Sequence, residues 1–159
     1  PGPVYAPAHL HAAWSQVITT YSATGAVMSV NTYKDNGQRT LVTYDHAGTQ
    51  TWSQMTYTYD AQGRLDLLET QNDNGARQTI DYDQVQSENT WSQLIQFYDA
   101  QNREDYRDYR MDDGSRVFID YDQASTAAWT SWEKDYLTTA STTPNRQVIT
   151  YDDGSVVTL

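Results

Sequence analysis

Three side chains of complementary chemistry recur together along this chain: Trp14, Gln16 and Arg39; Trp52, Gln54 and Arg77; Trp91, Gln93 and Arg116. A flat indole stacks on the apolar face of a sugar ring. A carboxamide hydrogen-bonds its hydroxyls, and a guanidinium matches a planar carboxylate through two parallel bonds. In an extended strand an offset of two places Trp and Gln on one face. The combination is therefore read as a candidate polysaccharide site. The opposing reading is structural: each Trp locks one unit to the next, with Arg stacked over it by a cation–π contact of about 0.5–2 kcal/mol. In the last set Ser131 replaces Gln, and Glu133 and Asp135 are expected on the face of Trp129, so that site should bind poorly.

Other chemistry finds less support. The turns Asp35-Asn36-Gly37, Asp73-Asn74-Gly75, Asp112-Asp113-Gly114 and Asp152-Asp153-Gly154 offer oxygen ligands, but Asp and Asn are also what tight turns require. No twelve-residue calcium loop is present, and turn chemistry is the preferred reading. His9 and His11 lack a third ligand, and His46 stands alone between strands, so no metal site is expected. No phosphate-cradling glycine loop or nucleophile elbow occurs, and no motif singles out a carboxylate pair. The expectation is a protein without catalytic activity or cofactor.

The elements that must position these residues come from a repeat. Trp14, Trp52, Trp91 and Trp129 are spaced by 38, 39 and 38 residues, and a Tyr follows each by seven, at Tyr21, Tyr59, Tyr98 and Tyr136. Turn glycines follow at Gly37, Gly75 and Gly114, with Gly154 two residues late; Tyr44, Tyr82 and Tyr121, each followed by Asp, come next. Fixed offsets of this kind mark tandem units. One domain is expected, with units at about 14–51, 52–90, 91–128 and 129–159, and with 1–13 as the tail of a preceding unit or a closing strand. Val4-Tyr5, nine residues before Trp14, matches the spacing from Tyr82 to Trp91.

Each unit reads as three antiparallel strands. The first runs from Trp to Tyr. A turn such as Asp60-Ala-Gln-Gly63 leads to the second, and an Asn-Gly or Asp-Gly hairpin to the third. The expected fold is all-β, with about twelve strands in four tandem three-stranded meander units. In a continuous meander three strands per unit reverse the direction of every second unit. Equivalent packing of all units would instead need the polar linkers to cross back. A closed propeller-like toroid and an open curled ribbon of hairpins both satisfy the pattern.

Alternation assigns faces. Val17, Met55, Leu94 and Trp132 share one with Tyr21, Tyr59, Tyr98 and Tyr136, joined by Val42, Ile80 and Ile119 with Tyr44, Tyr82 and Tyr121; this is the expected core face. Trp14, Trp52, Trp91 and Trp129 with their Gln partners, and Arg39, Arg77 and Arg116 with Thr43, Asp81 and Asp120, are expected opposite.

Composition sets the boundaries. The 159 residues carry a net charge of -11, which disfavours nucleic acid and anionic membrane surfaces. There is no cysteine. Leu, Ile, Val and Phe make up only 25 residues, but 13 Tyr, 5 Trp and 21 Thr supply surface suited to sheets, so the chain reads as folded. No apolar run reaches the length of a membrane span.

The segment Tyr59-Asp-Ala-Gln-Gly-Arg-Leu65, with Asn74-Gly75 and Tyr82-Asp83, resembles the YD repeats of large bacterial surface and toxin-shell proteins. The unit-opening Trp and the longer period are more similar to the Trp- and Tyr-Asp-bearing tandem repeats of large secreted Gram-negative proteins. That resemblance implies an extracellular accessory module attached to other domains. The leading functional expectation is secreted, multivalent, non-catalytic polysaccharide binding. The alternative is a structural or protein-interaction spacer.

Overall fold

A computed structural model describes residues 14–84 and 89–159, with the side chain of Trp14 excepted. The roles expected for 1–13, including Val4-Tyr5, His9 and His11, lie outside the described residues. Twelve strands follow one another: β1 (Trp14–Tyr21), β2 (Val27–Lys34), β3 (Arg39–Tyr44), β4 (Trp52–Tyr59), β5 (Leu65–Asn72), β6 (Arg77–Tyr82), β7 (Trp91–Tyr98), β8 (Glu104–Met111), β9 (Arg116–Tyr121), β10 (Trp129–Tyr136), β11 (Arg146–Tyr151) and β12 (Val156–Thr158). The described residues contain no helix.

The turns form as their chemistry dictates. Gly37, Gly75, Gly114 and Gly154 take φ between +82° and +87°, a region closed to most side chains. Oδ1 of Asn36, Asn74, Asp113 or Asp153 accepts the backbone N–H two residues on, at 2.8–3.0 Å. Asp60 and Asp99 each accept two backbone N–H groups and pair with Arg64 and Arg103. At the position of Gly63 the next turn has Asn102, held at φ 61°, a conformation Asn tolerates better than most residues.

All strands join one antiparallel sheet in strict chain order, β1 to β12, and β1 and β12 do not pair with each other. Among the described residues the sheet is open, which fits the curled ribbon. The linkers do not cross back. Each closes a wide hairpin that brings β3 onto β4, β6 onto β7 and β9 onto β10. The aspartate of each Tyr-Asp pair anchors that loop. Asp45 accepts the Gln50 N–H at 2.7 Å, and Asp122 accepts that of Ala127 at 2.6 Å. These bonds hold both carboxyls below the usual carboxylate range. The residue after the aspartate latches the loop sideways onto a strand start: His46 onto the Val27 carbonyl, Gln84 onto that of Leu65, and Gln123 onto that of Glu104.

The expected core is not there. Among the described residues every strand touches only its sequence neighbours, so they form a single layer with no second layer of described residues packed on either face. Among the described residues only Ala76, Thr79 and Asp108 are buried, and no large side chain is fully so. Strand positions are mostly half-buried, shielded by neighbours on the same face. Phe97 stacks on Tyr106 at 5.4 Å, and Tyr106 meets Phe118 at 5.5 Å. Cross-strand contacts of this kind, each worth about 0.2–1 kcal/mol, take the place of a core.

Candidate functional site

The Trp-Ser-Gln triplet builds a local irregularity that alternation alone does not anticipate. Trp52 lies opposite Asn72, but Gln54 lies opposite Gln71, so Ser53 is an extra residue with no partner. The same β-bulge occurs at Ser15, Ser92 and Thr130. In all four the hydroxyl donates to a carbonyl on the facing strand, those of Tyr33, Gln71, Arg110 and Thr150, at 3.2–3.4 Å. A bulge residue shifts the side-chain alternation by one. Successive residues Gln71 and Asn72 face opposite sides, so Gln54 and Trp52 do too. Two contacts corroborate the shift. Trp129 meets Trp132, three residues on, edge to face at 6.1 Å. Trp91 shares a concavity with Tyr109, the partner of Leu94 rather than of Gln93.

The nine expected site residues therefore divide. Gln and Arg do share a face, across a middle strand: Gln16–Tyr33–Arg39, Gln54–Gln71–Arg77 and Gln93–Arg110–Arg116. Trp52 and Trp91 lie on the other side, with the apolar residues of their units. Around Trp52 and Trp91 the three side chains therefore do not share a face, and the side chain of Trp14 lies outside the described residues. Trp129 is likewise separated from Glu133 and Asp135, which instead bind Arg146 at 2.9 and 2.6 Å.

The arginines stack on tyrosine, not on tryptophan. Each faces the last residue of the next first-type strand: Arg39 over Tyr59 at 4.4 Å, Arg77 over Tyr98 at 4.1 Å, and Arg116 over Tyr136 at 5.1 Å. Arg116 also binds buried Asp108 through two hydrogen bonds of 2.6 and 3.1 Å, which raise its pKa above the ordinary arginine value. Arg77 reaches Glu69 at 3.9 Å and Asn102 at 3.3 Å. These guanidiniums act as rivets where β3 meets β4, β6 meets β7 and β9 meets β10.

Faces also alternate along the ribbon, because the Trp-to-Tyr strands β1, β4, β7 and β10 run in alternate directions and so are not related by translation alone. Reversing strand direction while keeping the direction of travel requires a half-turn about the ribbon's long axis, and that half-turn exchanges the two faces. Within a unit the expected partition holds, apart from Trp. On one side of the ribbon Val17, Val42 and Tyr44 give way to Gln54, Glu69 and Arg77, then to Leu94, Tyr98 and Ile119. Apolar panels thus alternate with polar ones on both sides.

Two concavities stand out. One, of about 270 Å³, is lined by Trp91, Tyr109, Met111, Val117 and Ile119 together with the polar Thr90 and Glu133. The other, about 340 Å³, lies against Tyr33, Arg39, Tyr59 and the Asp60–Gly63 turn. Arg39 has no ion pair among the described residues, and its Nε is buried without a hydrogen-bond partner. Tyr109, Met111 and Val117 lie outside the repeated Trp–Gln–Arg set, and that set gave no signal of them. Among the described residues no group of three His, Asp or Glu is placed to hold a metal ion. Comparisons with protein-family models, curated proteins and solved structures find no match to this chain.

Proposed function

We propose that the chain is a non-catalytic structural repeat segment of a secreted protein. Its four sequence units join edge to edge into a ribbon that separates or presents neighbouring domains. The observation that carries this reading is the use of the arginines at the recurring offset: all three stack on the tyrosine that ends the strand paired with theirs, and two are also bound to acidic residues within the sheet. Such a ribbon lengthens in proportion to strand number. Inserting a second copy of 91–128 adds three strands, about 14 Å along the ribbon at the usual strand spacing of ~4.8 Å. Small-angle scattering of the parent and the extended chain measures this. An unchanged maximum dimension overturns the reading.

Polysaccharide binding is the second reading, favoured by the Trp91 concavity: an aromatic and aliphatic floor beside the polar Thr90 and Glu133 suits a sugar ring. The half-turn places equivalent floors on alternate sides, so binding along one polymer would use alternate units. Trp91→Ala should weaken binding by about 1–3 kcal/mol, as for a central aromatic anchor. Trp129→Ala should have little effect, since that ring packs on Trp132. Affinity electrophoresis against a panel of polysaccharides tests this, and equal retardation of both variants overturns it.

A further inference from the structure

Of the three junction arginines, only Arg39 has no carboxylate partner among the described residues. Glu69 and Asp108, each the fifth residue of its strand, bind Arg77 and Arg116. In β2 that position is Asn31. The turn side chain that Arg77 also reaches, Asn102, is replaced beside Arg39 by Gly63. The stacked tyrosines remain: the Arg39 guanidinium lies 4.4 Å from the Tyr59 ring centre and 6.0 Å from that of Tyr33. Aromatic rings occupy the faces of a guanidinium and leave its N–H edges, where a carboxylate binds through two parallel bonds.

Polar atoms of both residues are buried without a partner, Nε of Arg39 and Oδ1 of Asn31, while the terminal nitrogens of Arg39 are not buried. Asn31 donates its Nδ2 to the Tyr33 hydroxyl at 3.1 Å. Residues 1–13 contain no Asp or Glu to neutralise Arg39. The concavity against this arginine, about 340 Å³, also has Asp60 and Gln62 in its lining. That volume is at the small end of the roughly 300–1,000 Å³ of small-molecule sites. The Asp60 carboxylate is paired with Arg64 at 2.7 Å, so it can accept a hydroxyl but offers little net charge to an ammonium. The matching ligand has a carboxylate at one end and hydroxyls at the other, which favours a sugar acid over an amino acid.

We propose that the concavity formed by Tyr33, Arg39 and Tyr59 binds the carboxylate of a uronate residue in an acidic polysaccharide. The ligand carboxylate takes the part that Glu69 and Asp108 play at the other two junctions. The site is separate from the Trp91 concavity and holds whether or not that one takes a neutral sugar. The net charge of -11 gives no general attraction for a polyanion, so retention has to come from this local contact.

Affinity electrophoresis of the full chain in gels carrying polygalacturonate or its fully methyl-esterified form tests the proposal. Only the carboxylate differs between the two polymers, so the parent should be retarded more by the acid. Asn31→Asp installs the carboxylate of the other junctions. It should pair with Arg39, leave the melting temperature unchanged or higher, and weaken binding of the acid at least about tenfold. Arg39→Gln should lose as much, and Arg39→Lys most of it, because an ammonium lacks the planar fork. Sheet circular dichroism confirms that each variant folds. Equal retardation of the parent by acid and ester belongs to a neutral-sugar site and overturns the proposal. So does a parent that the acid does not retard, or a folded Asn31→Asp or Arg39→Gln variant that keeps the parent's affinity.

Discussion

Tyr21 and Tyr98 occupy the same position in the first and third sequence units, and each closes an eight-residue strand. Tyr98 sits in mid-ribbon, half-buried beneath the Arg77 guanidinium at 4.1 Å. Tyr21 is on the edge, and 60 % of its surface is exposed. The residue and its place at the end of the strand are alike; Thr19 and Thr20 precede Tyr21 where Gln96 and Phe97 precede Tyr98, and among the described residues only Tyr98 has a strand on its outer side. In a two-layered protein a tyrosine gains burial from the layer below. Here it gains burial sideways, from long side chains of the adjacent strand. Position along the ribbon therefore decides what each contact contributes.

The largest test of this contrast lies in mid-ribbon. Asp108 is buried and holds Arg116 by two hydrogen bonds. Asp108→Ala should destabilise by about 2–3 kcal/mol. This is below the 3–5 kcal/mol of a fully buried pair, since the Arg116 side chain remains 26 % exposed. Urea denaturation measures it, and an unchanged midpoint would show that the ladder tolerates a missing rivet.

Next comes the tyrosine pair itself. Tyr98→Ala should cost about 1–2 kcal/mol, below the 2–5 kcal/mol expected of a true core position, because only part of the side chain is withdrawn from water. Tyr21→Ala should cost less than about 0.5 kcal/mol, as exposed surface positions do. Equal losses in the two variants would remove the distinction between middle and end.

Acid should then act on turns and loops throughout the ribbon. The Arg103 backbone N–H bonded to Asp99, the Ser115 hydroxyl bonded to Asp113 and the Ala127 N–H bonded to Asp122 hold these carboxyls below the ordinary value of 3.8. A depressed native pKa means that the charged form favours folding. That stabilisation is complete above the unfolded pKa and is lost as pH falls below 3.8 through the folded values. Melting temperature should drop steeply below about pH 4, with Asp99→Asn flattening that limb.

The smallest effect has the opposite sign. Desolvation, reinforced by Asp66 and Asp83, raises the Asp81 carboxyl above 3.8. Its protonated form favours the fold, so lowering pH through the raised value adds stability. Asp81→Asn should raise the melting temperature slightly at pH 7 and little at pH 4. A lower melting temperature at pH 7 would mean that the charge serves a partner.

Much of this architecture was legible in the residues. Trp-to-Tyr runs, Asn-Gly and Asp-Gly turns and Tyr-Asp pairs located the strands, because turn geometry and β-propensity act over a few neighbouring residues. The intra-unit partition of Val17, Met55 and Leu94 from Arg39, Arg77 and Arg116 followed from the pleat. Three features were decided only by the assembled sheet. The serine of Trp-Ser-Gln became a bulge and carried Trp52 and Trp91 away from Gln54 and Gln93, since a register offset exists only between two strands. The odd number of strands from one Trp-to-Tyr strand to the next exchanged their faces, which is a property of the whole ribbon. The aromatic residues that read as a core found no second layer among the described residues, because alternation shows which side chains share a face but not whether anything covers it.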